Sequence, residues 1–578
     1  MLDARDVDAQ GIVHAWLSEF ASALATGDPA SLFEPDCHWR DLVALTGEIR
    51  TRSGLQAIPV LADSLKAANT TQLCLHTTML PPARQSRAGK EVVEAAIAFE
   101  TDQGACNGLI RIVADSGKAW TISTSLDSFR MAETPSEPAY AKDVRAPNWL
   151  DNREASRAYA DRDPAVLVVG GGHAGITIAA RLRELGIDTL IIDREKRIGD
   201  NWRLRYHNLK LHNQIHVNTM PYLPFPKTWP RYIPKDMIAN WLESYVETLE
   251  LNFWTETNFD GANWDEQAQC WNANLTLADG TTRKMRPRHI VMAASVSAVK
   301  KLPNIPSLEN FEGVKLHSSE FKIGSEWHGK PVMVLGTGTS SHDISQHLHA
   351  HGAKVTMVQR SPTMVVNVDP SAQIYDGLYL GDWGPDEPTL DERDLINSSF
   401  TLDLIKRAHK IVTTEVREID RQTHEGLERA GFELEYGEDG TGWPLKYRTR
   451  GGGYYFNIGC SELIIDGEID LIQHRDIDEY IATGVRMKDG TERPAELVVM
   501  ATGYEGQGHL LRQLFGEEIT KKAGQVWGFR EDGEMSNMWT RTGHPGLWFT
   551  AGAFSQCRIY SKYLAQQIAL DERAVGQF

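Results

Sequence analysis

The stretch AVLVVGGGHAG, residues 165–175, decides the fold of this chain. Its first five residues are apolar and rich in valine, as in a buried parallel strand, and GGGHAG fits the pattern G-x-G-x-x-G. Gly170 permits a tight strand-to-helix turn, Gly172 lets the backbone approach a pyrophosphate, and Gly175 allows close helix–strand packing. The helix expected over 176–185 presents free N–H groups at its start. The stretch therefore predicts a nucleotide-binding βαβ unit.

The second strand of this unit indicates which dinucleotide binds. The apolar run TLII, residues 189–192, ends at Asp193, which lies 18 positions after Gly175. An acid at this place accepts hydrogen bonds from ribose hydroxyls and disfavours a 2′-phosphate. The site is therefore predicted to bind FAD or NAD rather than NADP. The alternative, a glycine-rich turn with an incidental aspartate, does not explain why strand, helix and acid stand in register.

A second unit of the same kind begins at VMVLGTGTSS, residues 332–341. A helix-like stretch leads to Gly352 and to a strand over 355–358. Ser341 replaces the third glycine, and Arg360 stands beyond the strand, where the first unit has its acid. A guanidinium can hold a 2′-phosphate through two hydrogen bonds, which predicts NADPH; the alternative is a solvated loop charge. Together the two units predict a flavoprotein in which a nicotinamide reduces a flavin.

The composition of the 578 residues is that of an ordinary globular protein, with 41% hydrophobic and 24% charged residues. At roughly 100–200 residues per domain, the length predicts about three or four domains. With 78 acids against 60 bases the net charge is −18, which argues against binding to nucleic acids or anionic membranes. Six cysteines without a CxxC pair or a zinc-ligand spacing exclude a disulfide scaffold, argue against a flavin disulfide reductase, and predict no metal site.

The chain is expected in the cytoplasm and without a membrane partner. Its start, MLDARD, lacks the basic-then-apolar order of a signal peptide. No apolar run approaches the roughly 20 residues that span a bilayer.

The region before the first glycine motif is predicted to be a separate small domain. An amphipathic helix over 12–24 and strands over 92–99 and 109–113 indicate an α+β domain at residues 1–131. The composition of AETPSEP, residues 132–138, predicts a linker over 132–160.

Four motifs in the remainder resemble those of one enzyme family. FEGVKLHSSEF, residues 311–321, matches F-x-G-x-x-x-H-x-x-x-[YF], the identifying sequence of the flavin-containing monooxygenases, which are class B flavoprotein monooxygenases. GDNWR (199–203) resembles their G-x-x-W segment, ATGY (501–504) their late ATGY motif, and GLWFTAG (546–552) the closing strand of their FAD domain. The resemblance covers about residues 160–578. Within it, the segment from Tyr206 to Pro226 looks most like the YUCCA-type and fungal branches.

The resemblance implies an α/β fold with two Rossmann-like dinucleotide-binding domains. The FAD-binding domain is expected at 161–305 and 500–578, and the NADPH-binding domain at 306–499. DCHWRD, residues 36–41, follows a helical start and resembles the cone-shaped SnoaL-like α+β domains that precede some flavin monooxygenases. Such a cone is expected to serve dimerisation, giving a homodimer, or to cover another domain's entrance; no catalysis is assigned to it.

The cofactor-binding residues are predicted from the glycine motifs and from the resemblance. For FAD they are Gly170, Gly172, His173, Ala174, Gly175, Asp193, Arg194, Asn201, Trp202 and His212. For NADPH they are Gly336, Gly338, Thr339, Ser340, Ser341, Arg360 and Ser361. Thr502 and Gly503 of the ATGY motif, where the chain returns to the FAD domain, complete the set.

Two residues are candidates for the catalytic group that hydrogen-bonds the reactive flavin or NADP. Many flavin-containing monooxygenases carry an asparagine in the segment equivalent to 211–214, and the matching position here is His212, with Asn213 beside it. The alternative is that both are ordinary polar residues of the interior. The glycine- and aromatic-rich stretch 451–459 also has two interpretations, the wall of a substrate pocket or a core strand flanked by turns.

The resemblance implies an FAD-containing, NADPH-dependent monooxygenase. Its reduced flavin would capture dioxygen as a C4a-hydroperoxide and transfer one oxygen atom to a small organic substrate. N- or S-oxygenation is favoured, because the identifying motif ends in Phe321-Lys322, whereas Baeyer–Villiger enzymes carry tryptophan at the last position. One alternative is Baeyer–Villiger or YUCCA-like oxidative decarboxylation of a carbonyl or 2-oxo acid substrate. Another is an NADPH oxidase or electron-transfer flavoprotein that never oxygenates a substrate.

Overall fold

The N-terminal region combines two helices with a seven-stranded sheet. The computed structural model describes residues 4–130, 145, 147–381, 383–384 and 387–576; the expected linker composition at 132–138 lies outside them. The elements are α1 (Ala4–Thr26), β1 (Phe33–Leu42), β2 (Ile49–Ser53), α2 (Ala57–Ala67), β3 (Cys74–Leu75), β4 (Ala83–Arg87), β5 (Lys90–Thr101), β6 (Gly104–Val113) and β7 (Ala119–Phe129). The strand order is β2-β1-β7-β6-β5-β3, with β4 also on β5; β1 and β7 pair in parallel and the other neighbours antiparallel.

The two faces of this sheet differ in polarity, because successive residues of a strand point to opposite sides. Cys37 and Trp39 of β1 belong to the apolar core that also contains Trp16 of α1. His38 and Arg40 alternate with them and are buried as well. Since a buried charge requires a partner, the polar face must be covered by another part of the chain.

A parallel sheet with helices follows. Its elements are α3 (Trp149–Ala158), β8 (Val166–Val169), α4 (His173–Glu184), β9 (Thr189–Ile192), α5 (Asp200–Arg203), α6 (Lys235–Thr248), β10 (Asn252–Trp254), β11 (Asn258–Asp265), β12 (Cys270–Thr276), β13 (Thr282–Met285), β14 (His289–Met292) and β15 (Val299–Lys300). The strand order is β10-β9-β8-β14-β27, all parallel, where β27 (Leu547–Phe549) comes from the end of the chain. The strand–helix–strand unit expected around residues 165–193 is thus β8-α4-β9.

The range 132–160, predicted as a linker, contains a helix. Helix α3 is bound to the first parallel sheet, since Arg153 donates to the Leu251 carbonyl at 2.6 Å and Trp254 donates to the Arg157 carbonyl at 2.7 Å. This helix is not unstructured chain, because its start is capped: Asn148 and Asp151 exchange side-chain and backbone hydrogen bonds. The composition typical of a linker is confined to the proline-containing stretch at residues 132–138.

The second half contains another parallel sheet and then returns to the first. Its elements are β16 (Val314–His317), β17 (Pro331–Leu335), α7 (Thr339–Ala350), β18 (Lys354–Gln359), β19 (Met364–Asn367), α8 (Ser371–Tyr375), α9 (Leu390–Ser398), α10 (Leu402–Ile419), α11 (Arg421–Arg429), α12 (Trp443–Arg450), β20 (Tyr454–Asn457), α13 (Cys460–Ile465), β21 (Asp470–Gln473), β22 (Ile477–Ile481), β23 (Gly484–Met487), β24 (Glu492–Pro494), β25 (Leu497–Met500), β26 (Tyr504–Glu505), α14 (Gln507–Ala523), β27 (Leu547–Phe549) and α15 (Phe554–Ala574). The order β16-β25-β17-β18-β21 is parallel throughout. The predicted α/β fold with two Rossmann-like units is confirmed.

Helices α8 to α12 form an insertion between β19 and β20, and the N-terminal sheet docks on it. Arg40 donates to the carbonyls of Ser398 at 2.6 Å and Phe400 at 3.0 Å. Arg111 donates to the hydroxyl of Ser399 at 2.8 Å. The polar face of the N-terminal sheet therefore holds the turn between α9 and α10.

Candidate functional site

One cavity of about 1930 Å³ lies where the two parallel sheets and the inserted helices meet. Both glycine-rich loops open into it at the carboxyl ends of their strands, where open α/β sheets bind ligands. Of the residues predicted to bind cofactors or to be catalytic, all line this cavity except Ala174 and Gly175. Those two lie on α4 behind the first loop, and both are buried.

At its tightest points the first glycine loop has no room for a side chain. Gly170 has a φ of +110°, and a Cβ there would lie 2.6 Å from the Ala293 carbonyl oxygen. A Cβ on Gly175 would overlap the carbonyl oxygen of Gly170. The loop therefore keeps the backbone and the start of α4 open towards the cavity, as a pyrophosphate requires.

Asp193 stands beside this loop and is half-buried. One carboxylate oxygen accepts the Gly171 N–H at 2.6 Å and the other the Glu195 N–H at 2.9 Å. Each oxygen has a further lone pair, so the carboxylate can also accept from ribose hydroxyls. Arg194, by contrast, is exposed at the rim of the cavity, and its Nε lies 3.4 Å from Oε1 of Glu195.

Three further side chains next to the first loop fit a large flat ligand. His173 stacks on Phe554 with ring centroids 4.1 Å apart and contacts the Gly552 carbonyl through Nε2 at 2.9 Å. Burial lowers the pKa of His173 to about 4, so its ring is neutral. The Oδ1 of Asn201 and the Nε1 of Trp202 are buried on the cavity wall without a hydrogen-bond partner. Unpaired buried polar atoms of this kind are suited to a bound ligand such as FAD.

The second glycine loop has the same tight backbone geometry as the first, but different side chains at its edge. Gly336 has a φ of +116°, and a Cβ there would lie 2.6 Å from the Ala501 carbonyl oxygen. The Ser341 hydroxyl, in place of the third glycine, is buried and has no partner, and the Thr339 hydroxyl donates to the Tyr454 carbonyl at 3.0 Å. Arg360 is exposed on the rim and forms no ion pair with any residue that the structure describes. Its guanidinium is therefore available to a phosphate.

Ser340 and Ser361 line the same side of the cavity. Thr502 donates to the Lys301 carbonyl at 2.6 Å, and the carbonyl of Gly503 contacts Nε2 of His317 at 3.0 Å. His317 is the histidine of the 311–321 motif and is fully buried. The motif thus has a structural explanation: it ties the ends of β16 and β25 together at the turn between the two sheets.

The two candidate catalytic residues point to different partners. His212 lies 3.9 Å from Oδ2 of Asp343 on α7, and the Tyr206 hydroxyl donates to the same oxygen at 2.8 Å. Asn213 donates to the Asp376 carboxylate at 2.7 Å. Burial raises the pKa of Asp376 to about 6, although the hydrogen bond from Asn213 opposes the shift. Each candidate thus lies beside an acid at the cavity wall, His212 beside one on α7 and Asn213 beside one in the insertion.

Sequence analysis missed several residues of this wall. Asp343 and Asp376 could not be predicted as residues of the site, because a single acid forms no recognisable sequence motif. The insertion also contributes aromatic and basic groups: Tyr375, His409, Trp443 and Arg448. In the stretch 451–459 both interpretations apply to alternate residues of β20, since Tyr454 and Phe456 face the cavity while Tyr455 is in the core.

Other chemistries find little support in the described residues. All six cysteines are free, and none lines the cavity. Within the described ranges there is no group of three or more His, Cys, Asp or Glu side chains arranged to hold a metal ion. None of the helices in the described part of the chain combines the length and hydropathy that crossing a bilayer requires.

Comparison with known proteins points to one group of enzymes. A sequence profile described as "Pyridine nucleotide-disulphide oxidoreductase" matches residues 164–375. The chain is 28% identical over 359 residues to indole-3-pyruvate monooxygenase YUCCA1 of Oryza sativa subsp. japonica, covering 61% of this chain and 80% of that protein. It is 33% identical over 205 residues to the probable indole-3-pyruvate monooxygenase YUCCA3 of Arabidopsis thaliana, covering 35% and 47%.

Solved structures share the fold. Cyclohexanone monooxygenase with bound ε-caprolactone superposes with a TM-score of 0.53 at 19% identity, over 71% of this chain and 88% of that one. Cyclohexanone monooxygenase from Rhodococcus sp. Phi1 bound to NADP+ superposes with a TM-score of 0.50 at 19% identity, over 71% and 85%.

Proposed function

Because the chain belongs to the flavin-dependent monooxygenases and uses FAD and NADPH, we propose that it inserts one oxygen atom from dioxygen into a small organic substrate. The observation that carries the proposal is the shared cavity, into which an acid-edged and an arginine-edged glycine loop both open. Electron transfer between two dinucleotides requires their reactive rings to meet, and one cavity bordered by both loops allows this.

We propose separate roles for the two loops. The loop at Gly170 and Gly172 holds the FAD pyrophosphate, with the FAD ribose on Asp193. The loop at Gly336 and Gly338 holds NADPH, with its 2′-phosphate on Arg360. FAD bound at the first loop would supply the reactivity towards dioxygen that the side chains themselves lack.

The chain's own contribution is to orient the ligands, hold protons and exclude water. His212 and Asn213 are the proposed hydrogen-bonding groups at the reacting end of the cavity. His212 has its Nε2 3.9 Å from a carboxylate oxygen of Asp343, which fixes the side of the cavity on which its ring lies. Asn213 donates to Asp376, so its amide orientation is set by that acid. Apolar and aromatic residues of the insertion line the cavity, and their role in this proposal is to limit the access of water to the reacting atoms.

The type of oxygenation has two candidates. N- or S-oxygenation of a soft nucleophile agrees with the phenylalanine that ends the 311–321 motif. Oxygenation at a carbonyl, as in decarboxylation of a 2-oxo acid, is supported by the names of the YUCCA relatives, which are indole-3-pyruvate monooxygenases. A test of this enzyme therefore needs a panel of substrates from both classes.

The decisive experiment follows electrons and oxygen together. Purified holoenzyme is mixed with NADPH and air, with and without amines, sulfides, ketones and 2-oxo acids, and NADPH loss, hydrogen peroxide and product mass are measured. Substrate-dependent oxidation of NADPH with a product that gains one oxygen atom, or that loses carbon dioxide, supports the proposal. One peroxide per NADPH with every compound identifies an oxidase instead.

A variant pair tests the role of His212. Replacing His212 with alanine should raise the peroxide released per NADPH, because the group that orients the reactive end is lost. His207→Ala is the matched control, since His207 is exposed and does not line the cavity. Equal peroxide yields from both variants would remove His212 from the site.

We also propose the domain division of residues 1–131, 161–305 with 500–578, and 306–499. The N-terminal unit, with its SnoaL-like resemblance, is proposed as a cover of the insertion and as a support for a homodimer. A cytoplasmic location is proposed as well. Light scattering of the purified chain and fractionation of cells that express it test the last two points.

A further inference from the structure

The turn between α9 and α10, residues 398–401, lies between the main cavity and the N-terminal domain. On one side of the turn, Phe400 lines the main cavity. On the other side the turn lies against the polar face of the N-terminal sheet, where Arg40 donates to the carbonyls of Ser398 and Phe400. None of the described residues 4–130 lines the cavity itself. The N-terminal domain therefore reaches the wall of the cavity only through what it contacts, and this turn is such a contact.

Arg111 on β6 contacts the side chains of the turn. Its Nη2 donates to the Ser399 hydroxyl at 2.8 Å, and its guanidinium carbon lies 4.4 Å from the centroid of the Phe400 ring. The side chain of Arg111 is fully buried. A cation over an aromatic face is attracted to it, and the attraction is stronger when both groups are removed from water. The guanidinium therefore holds the ring of Phe400 on the side that faces away from solvent.

The N-terminal domain fixes the position of Arg111. Its Nε donates to the Glu94 carboxylate at 2.7 Å, and its Nη1 donates to the Thr121 hydroxyl at 3.2 Å. Glu94 is held in turn by a second cation, Arg87, at 2.7 Å. Because the guanidinium is a planar fork whose three nitrogens all have partners, it has one orientation. The N-terminal sheet thus decides where Arg111 stands, and Arg111 decides where the turn stands.

Apolar contacts from both parts of the chain complete this arrangement. Leu404 of α10 is buried together with Val92 of β5 and Trp120 of β7, and Phe400 packs against these three residues. The cluster is buried only while the N-terminal sheet and the insertion are in contact. Burial of its apolar surface therefore favours the same position of the turn.

We propose that Arg111 is a positioning residue, which fixes Phe400 as a wall of the substrate cavity, and that the N-terminal domain thereby limits the size of the substrate. Arg111 acts through Ser399 and Phe400 and does not itself line the cavity. The inference rests on the proposed function for its meaning, since the substrate of that cavity is the molecule whose size is limited. The holding of the turn can be measured without turnover.

Hydrogen–deuterium exchange of the holoenzyme measures how firmly the turn is held, in peptides that cover residues 395–405. Arg111→Met should raise the exchange rate there roughly 3- to 10-fold, the change in a local opening equilibrium that follows from losing about one hydrogen bond. Ser399→Ala should raise it less, because it removes the same hydrogen bond and keeps the cation over the ring. Arg87→Met is the matched control, since Arg87 pairs with the same Glu94 and does not line the cavity.

Competition between a small and a large substrate measures the shape of the cavity. The holoenzyme receives NADPH and air with equal amounts of methyl phenyl sulfide and methyl 2-naphthyl sulfide, or of phenylpyruvate and 3-(2-naphthyl)pyruvate. The product ratio gives the ratio of the two kcat/KM values, and it does not depend on how much of the enzyme is folded, because both compounds meet the same molecules. Phe400→Ala should shift this ratio roughly 10-fold towards the naphthyl compound, since even one methylene of space in an apolar pocket has an effect of that order. Arg111→Met should shift it in the same direction, and Arg87→Met should leave it unchanged.

The double variant Arg111→Met/Phe400→Ala tests whether Arg111 acts through the ring. It should shift the ratio no further than Phe400→Ala alone, and shifts that simply add would overturn the proposal. The proposal is also wrong if Arg111→Met changes neither the exchange of the turn nor the product ratio more than Arg87→Met does. FAD content checks that each variant is folded, and Ser399→Ala, which leaves every charge paired, replaces Arg111→Met if that variant lacks FAD. A wild type that oxygenates no compound would overturn the proposed function, and the exchange of the turn would then decide alone whether Arg111 holds it.

Discussion

The ion pair between Arg40 and Glu534 should control how firmly the N-terminal domain is docked. Their side chains are only 7% and 6% exposed, and they meet at 2.7 Å. Nε and Nη2 of Arg40 donate to the two oxygens of Glu534, and Nη1 donates to the Ser398 and Phe400 carbonyls. Nη2 also contacts the Tyr560 hydroxyl at 3.3 Å. The guanidinium thus joins the N-terminal sheet, the insertion and the C-terminal region.

Removing one partner leaves the other buried without its counter-charge. Arg40→Met leaves the Glu534 carboxylate and two carbonyls without the guanidinium that donates to them. Glu534→Gln leaves the guanidinium without a counter-charge. Each change should lower the free energy of unfolding by about 3–5 kcal/mol, the cost of breaking a buried pair. The double variant Arg40→Met/Glu534→Met should lose much less than the sum, because it leaves neither charge unpaired.

Guanidinium unfolding of the holoprotein, followed by tryptophan fluorescence and circular dichroism, measures these differences. The pair between Arg84 and Asp8 is the control, since its side chains are 41% and 59% exposed at a similar distance of 2.6 Å. Arg84→Met should therefore cost only about 0–1 kcal/mol. The reasoning is refuted if Arg40→Met is no more destabilising than Arg84→Met, or if the losses of the two buried single variants simply add.

Three more predictions concern the cofactors and pH. Arg360→Ala should weaken NADPH binding by roughly 10-fold or more and leave NADH binding almost unchanged, in titrations of both cofactors, because only NADPH has a 2′-phosphate; equal losses would contradict the assignment. Asp193→Ala should yield protein with depleted FAD, measured as flavin absorbance per chain, and full occupancy would contradict the ribose contact. Burial alone would raise the pKa of Glu572, but hydrogen bonds from Arg288 and His289 outweigh it and lower the pKa to about 2. The ionised form therefore stabilises the fold above the unfolded pKa of about 4.3, and this contribution is lost as the pH falls through about 2. Glu572→Gln should thus cost about 3 kcal/mol at pH 7 and far less near pH 2, in denaturation at both values, and a loss independent of pH would contradict it.

The nucleotide chemistry of this protein could be predicted from the sequence because it depends on short-range geometry. A strand, three small residues and a helix start lie within a dozen positions, so Gly170 and Gly336 can be recognised as motif glycines from their spacing alone. Asp193 and Arg360 follow at the ends of the second strands, and the parallel sheet brings them beside the loops in the structure. The 311–321 motif is likewise local, although only the structure shows His317 bridging two strand ends.

The insertion is different, since its function depends on contacts between distant parts of the chain. Asp376, His409 and Arg448 lie in separate helices, and no spacing relates them until those helices fold against the cavity.

The sequence by itself therefore determined the fold class and the two dinucleotide-binding units, because these follow from backbone conformation and hydrophobic periodicity over short stretches. Only the tertiary structure decided which acids lie beside His212 and Asn213, and what the polar face of the N-terminal sheet covers. The physical reason is that burial and charge pairing are properties of the packed molecule, set by groups hundreds of residues apart, as with Arg40 and Glu534.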